Sequence, residues 1–112
     1  MNQQIEINGN RISFVLHVLH SKSEEFFIMY NPALNVSGYG TTSSKATESF
    51  QINLQVFFDD LIEANTLHQT LKEYGWNFND HSFNRGQLVE DFIKNLPMNI
   101  ISSDQYQGAI SL

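Results

Sequence analysis

The spacing of apolar residues changes once along this chain, from every second position before Gly40 to every third or fourth after Thr42. Side chains alternate across a strand but return to one helix face about every 3.6 residues, so the two stretches call for different elements. Ile5-Glu6-Ile7 alternates, and residues 11–20 follow after Asn8-Gly9, a pair that tolerates positive φ and marks a hairpin. In the second run Ile12, Phe14, Leu16 and Val18 share one face, while Ser13, Val15, His17 and Leu19 share the other. After the polar turn at 21–24, residues 25–30 carry Phe26, Phe27, Ile28 and Met29 without a polar break, which predicts a central strand buried on both faces. Pro32 ends it by removing a backbone donor, and residues 35–40 form a fourth, short run.

Ala46, Phe50, Leu54, Phe57 and Leu61 then define one face of an amphipathic helix, widened by Val56, Phe58 and Ile62. Ser43 or Ser44 is expected to supply its N-cap oxygen. Thr66 and Gln69 have capping-box spacing, and Leu67, Leu71 and Tyr74 repeat helically up to Gly75, a left-handed stop. Residues 76–78 read as a short strand or extended link, residues 79–84 as a polar loop, and residues 87–96 as a third helix closed by Pro97. Residues 98–101 and 106–112 read as extended, separated by Ser102-Ser103-Asp104-Gln105. The fold class is therefore α+β: a three- to four-stranded, mainly antiparallel sheet packed by one long amphipathic helix, with short helices in the C-terminal third.

A chain of 112 residues with 41% hydrophobic residues and nine Phe has the size and interior of one domain. The absence of cysteine excludes disulfides, thiolate metal sites and thiol nucleophiles, and fits a cytoplasmic location. The polar start Met1-Asn2-Gln3-Gln4 lacks the basic and apolar regions of a secretory signal, and no apolar run is long enough to span a membrane. Six basic residues against twelve acidic ones give a net charge of -6, and Arg11, Lys22, Lys45, Lys72, Arg85 and Lys94 are scattered. Such a surface repels a phosphate backbone and argues against direct DNA binding.

No residue set announces catalysis. His17 and His20 have the spacing that serves metals on helices, but three positions apart on a strand they point to opposite faces. His81 follows Asp80 without a marked nucleophile, and His68 stands alone in the short helix. Gly38-Tyr39-Gly40 lacks the length and the Lys-Ser/Thr of a phosphate loop and reads as a backbone turn. Neither a metal nor an organic cofactor is expected. Asp59, Asp60 and Glu63 crowd the C-terminal end of the long helix, where carboxylates oppose the macrodipole, which makes them candidates for contacting a partner.

The segment from Tyr30 to Ala46 resembles the HicB-like antitoxin family. In that family a strand runs into Pro-x-Leu, and a short strand ending Gly-Asp-Thr precedes an amphipathic helix. Here Pro32-Ala33-Leu34, Gly40-Thr41-Thr42 and Ala46 keep those spacings, and Leu67 to Gly75-Trp76 is similar to a later segment of the family. Thr41 replaces the usual Asp, and Ser44-Lys45 replaces the usual acidic pair. The resemblance makes residues 1–112 a single domain with a family-like core at 10–78 and a C-terminal extension at 79–112 holding one helix and a terminal strand. It implies a degenerate ribonuclease H-like β-β-β-α-β sheet, with Pro32, Leu34, Gly40, Thr42 and Ala46 as its structural motif.

The resemblance implies a non-catalytic cytoplasmic bacterial antitoxin that binds and neutralises a small basic mRNA-interferase toxin. Residues 79–112 do not match the DNA-binding module that many members carry. The alternative is an oligomeric interaction or regulatory protein of the same fold without a toxin. A more remote one is a small hydrolase or nuclease using His81 or the Asp59–Glu63 cluster. Exposed strand edges make self-association a further expectation.

Overall fold

A computed structural model describes residues 2–112. In chain order the elements are β1 (Gln3–Asn8), β2 (Arg11–Lys22), β3 (Phe27–Asn31), β4 (Val36–Gly40), α1 (Ser43–Glu63), α2 (Leu67–Glu73), β5 (Asn77–Asn79), β6 (Ser82–Arg85), α3 (Glu90–Lys94) and β7 (Ile100–Ser111). The architecture is α+β with a mainly antiparallel sheet, but the expected three or four strands are corrected to seven.

β2 organises the sheet. β7 pairs with its residues 11–21 and so takes up one whole edge. The other edge is shared end to end, with β1 beside residues 11–15 and β3 beside residues 19–22. From β1 the sheet continues to β6 and β5; from β3 it continues to β4. Two short arms thus flank β2 on one side and a single long strand flanks it on the other.

Where the two arms meet, His17 has no strand opposite on that edge. Its backbone N–H donates to Gln3 Oε1 at 3.1 Å, and its carbonyl accepts from Asn31 Nδ2 at 2.8 Å. Asn31 Nδ2 also donates to Gln3 Oε1, and Asn31 Oδ1 accepts from the Leu34 N–H at 2.8 Å. Two buried amide side chains therefore complete the ladder, as buried backbone groups require.

α1 covers the face that carries Ile12, Phe14, Leu16 and Val18. Ala46, Phe50, Leu54 and Phe58 are its buried residues. Phe57 and Leu61, expected in the stripe, are only half-buried, and Val56 and Ile62 are exposed. The buried residues run straight at spacing four, and the first turns of the helix lie over Gly38 and Gly40, which admit its backbone. A Cβ on Gly38 would lie 2.1 Å from Phe50 N, and one on Gly40 would lie 2.5 Å from Lys45 Cβ. The helix N-cap is Thr42, whose Oγ1 accepts from Lys45 N at 3.1 Å, rather than Ser43 or Ser44. Gly75 takes the left-handed conformation expected of it, with φ +90. Thr66 precedes α2 but makes no side-chain cap bond.

Several local expectations are corrected. In the first hairpin Asn8 pairs with Arg11, so the turn residues are Gly9 and Asn10, and only Gly9 has positive φ. The third strand is not buried on both faces: Phe26 precedes it and is exposed, while Phe27, Ile28 and Tyr30 are only half-buried. Residues 79–84 are not a loop, because Asp80 and His81 at φ 50 and 67 turn β5 back into β6. The third helix shrinks to α3, since residues 86–99 must carry the chain from the β1 arm to the far edge of β2. Residues 100–111 form one continuous strand, Ser102 to Gln105 included, because a sheet edge tolerates polar side chains.

Candidate functional site

The motif block from Pro32 to Ala46 sits at the outer arm of the sheet. Pro32 opens the turn between β3 and β4, Leu34 is fully buried, and Asn35 takes φ 55 to complete the turn. Trp76 docks on this turn, donating its indole N–H to the Ala33 carbonyl at 2.9 Å. Gly40 lies beneath the first turn of α1, Thr42 caps that turn, and Ala46 is buried against the sheet. All five motif residues therefore shape backbone and packing, and the Gly38-Tyr39-Gly40 run supports a helix rather than a phosphate.

The acidic residues lie at the opposite end of the same helix. Asp59, Asp60 and Glu63 are all exposed, and the last turn of α1 contains no basic residue. Asp59 accepts a hydrogen bond from Gln55 Nε2 at 3.0 Å. Among the described residues none of the three forms an ion pair; the ion pairs there join His20 to Asp104 and Lys94 to Glu90. Apolar surface adjoins the carboxylates. Phe57 stacks on Tyr74 with ring centres 6.4 Å apart, and Leu61 is half-buried. The end of α1 thus presents uncompensated negative charge next to partly open aromatic surface. Such a surface suits a cationic, partly apolar partner, since paired charges in water gain little and a desolvated complement gains more.

The histidines do not converge. His17 and His20 leave β2 on opposite faces, as their spacing implied. His20 Nε2 lies 3.1 Å from Asp104 Oδ1 on β7. His17 Nδ1 instead accepts the Leu88 N–H at 3.1 Å, so the ring is held neutral with its proton on Nε2. Burial of the imidazole is the main cause that pushes His17 below its ordinary 6.5, with Asp104 opposing. His68 packs between Phe78 and Phe83, with centroids at 4.9 and 4.7 Å. His81 is exposed in the β5–β6 turn. Among the described residues no three His, Asp or Glu side chains gather closely enough to share a metal ion.

Two features were not found from sequence. Gln3 read only as part of a polar start, yet it is 1% exposed and fastens β1 to His17 and to the Gly86 carbonyl. The bond from Leu88 to His17 ties the crossing segment to the sheet face away from α1, where Leu19 and Leu88 are buried apart from the main core. Neither could be found by period, because both depend on which strands meet at His17. No helix among the described residues is long and apolar enough to cross a membrane. No family model, curated protein or solved structure matches the chain.

Proposed function

We propose that this chain is a non-catalytic binding protein of the HicB-like antitoxin kind, which uses the acidic end of α1 to hold and neutralise a small basic mRNA-interferase. The observation that carries this reading is the exposed group Asp59, Asp60 and Glu63, without ion-pair partners among the described residues and beside Phe57 and Tyr74. A helix end that opposes its own dipole is less stable than it needs to be, and a basic partner would remove that penalty. The structural roles of Pro32, Leu34, Gly40, Thr42 and Ala46 give further support, since the resemblance rests on them. The site residues proposed for the partner are Asp59, Asp60 and Glu63, with no cofactor and no direct DNA contact, and the location proposed is the cytoplasm.

The test is co-purification of the tagged full chain with the product of any small basic reading frame encoded beside it. The expected result is a stoichiometric complex that salt weakens and that the double variant Asp60→Lys/Glu63→Lys no longer forms. Recovery of no basic protein, or undiminished recovery by the variant, contradicts the proposal. The oligomeric interaction protein without a toxin is the second reading, and the unpaired edge of β7 favours it.

A further inference from the structure

We infer that the free edge of β7 is a self-association surface, on which a second copy of this chain adds its own β7 antiparallel across a two-fold axis. The direction of the backbone groups follows from the register. His17 turns both its N–H and its carbonyl toward the β1 and β3 edge of β2. Odd residues of β2 therefore face that edge, and even residues face β7. Because Leu16 lies opposite Tyr106 and Val18 opposite Asp104, even residues of β7 point inward and odd residues point outward. At the N-terminal end a register shift interrupts this order near Ile101, and at the C-terminal end the Ser111 carbonyl already accepts from Gln55 Nε2 at 3.0 Å. Ser103, Gln105, Gln107 and Ala109 remain, an evenly spaced row of outward-facing groups.

Natural edge strands are commonly guarded by lysine, proline, bulges or a covering element. Among its twelve residues β7 has no proline and one charge, Asp104, and its irregularity lies at one end only. The other two open edges are much shorter, five residues in β4 and three in β5.

Beside this edge α1 leaves an uncharged groove of mixed amide and apolar lining, formed by Gln51, Ile52, Gln55, Tyr106, Ala109 and Ile110, among others. Ile52 is 62% exposed, and Val56, one turn on, is 50% exposed. Gln51 donates to the Tyr106 hydroxyl at 2.9 Å, which fixes this part of the helix above the middle of β7.

The occupant follows from charge and symmetry. A chain of net charge -6 repels its own copy over most of its surface, and none of the residues lining this groove is charged. A basic partner gains nothing from an uncharged strip, whereas an identical one avoids repulsion there. A dyad at Tyr106 pairs Ser103 with Ala109 and Gln105 with Gln107 of the second copy, each pair exchanging two backbone bonds. That register sets Asp104 opposite Gly108 of the other copy instead of its own counterpart. It also brings the Ile52 and Val56 stripes of the two α1 helices together above a continuous sheet, as an isologous interface requires.

The experiment is sedimentation or light scattering of the full chain across micromolar concentrations, combined with residue-resolved amide hydrogen exchange. The expected mass is twice the 12.9 kDa of the chain. The amides of Ser103, Gln105, Gln107 and Ala109 are expected to be as protected as those of their even-numbered neighbours. Gln107→Pro removes an outward N–H that no intrachain strand uses, and Ile52→Lys/Val56→Lys changes only exposed side chains. Both are expected to be folded monomers in which the odd-numbered amides exchange rapidly and the even-numbered ones do not. A wild-type monomer with alternating protection, or a dimer that persists in the Ile52→Lys/Val56→Lys variant, overturns the inference. Protection of the odd amides only on adding a basic protein also overturns it, by giving the edge to a different occupant. The outcome is independent of whether the acidic end of α1 binds a toxin.

Discussion

Gly38 is the residue at which a single methyl group has the largest expected effect. Its added Cβ would meet Phe50 N at 2.1 Å and Phe50 Cα at 2.6 Å, and both are backbone atoms that move only if α1 moves. Gly38→Ala is therefore expected to cost roughly 3 kcal/mol, the upper part of the usual overpacking range, read as a fall in urea midpoint. Gly86→Ala, with nothing within 4 Å of the added carbon, is the control and is expected to stay within about 0.5 kcal/mol of the parent. Gln3 and Asn31 form a coupled pair. Alanine at either strands a buried His17 backbone group, at about 1–3 kcal/mol each, and the double variant is expected to cost less than the sum because the two share a bond. Strict additivity in chemical denaturation would show that the pair does not act as one junction.

His17 makes stability depend on pH in a defined direction. The folded chain holds its imidazole below the ordinary 6.5 through burial, so below that value the unfolded chain binds the proton more readily. Stability from this group is complete above 6.5 and falls as pH drops through it. A protonated ring also loses its lone pair for Leu88 N–H, so the crossing segment loosens first. His17→Gln is expected to flatten the change in urea midpoint between about pH 7 and pH 5, since an amide does not titrate there. An unchanged slope would assign the pH dependence to other groups.

At the scale of elements, α1 is where stability and the proposed binding can be measured apart. Asp60→Lys and Glu63→Lys replace charges that oppose the helix dipole with charges that complement it, and each is expected to raise stability by about 0.5 kcal/mol or more. The same pair is expected to abolish capture of a basic partner, and a loss of stability instead would indicate hidden pairing at this end.

The elements also differ in how openly the sequence displays them. The change of period at Gly40, the proline at the end of β3 and the glycine after α2 each act through local backbone chemistry, so they can be read directly. β6 and the middle of β7 could not, because β6 is four residues inside a polar run and Ser102 to Gln105 are all exposed, which hides the alternation that marks a buried strand. Tyr106, Gly108 and Ile110 do alternate, half-buried under α1, but the polar run before them resembles a turn. The candidate site divides in the same way. The acidic cluster is visible as composition, whereas its exposure and its lack of ion-pair partners depend on where Lys72 and Arg85 fold to. Arg85, for example, donates from Nε to the Tyr74 carbonyl at 2.9 Å.

At the scale of the whole molecule, the branched sheet leaves two distinct surfaces. One is the long, nearly uncharged edge of β7 with the apolar flank of α1; the other is the acidic end of α1 with Phe57 and Tyr74. A dimer through the first would leave the second open on each copy, so a two-fold assembly could hold two basic partners at once. The central proposal is that the chain binds a basic protein through Asp59, Asp60 and Glu63. Its most direct test is titration calorimetry of the purified chain, and of Asp60→Lys/Glu63→Lys, with the small basic protein encoded beside it. Tight, salt-sensitive binding at one partner per chain is expected, and the charge-reversed variant is expected to lose it while staying folded. Equal binding by both chains, or none by either, would contradict it.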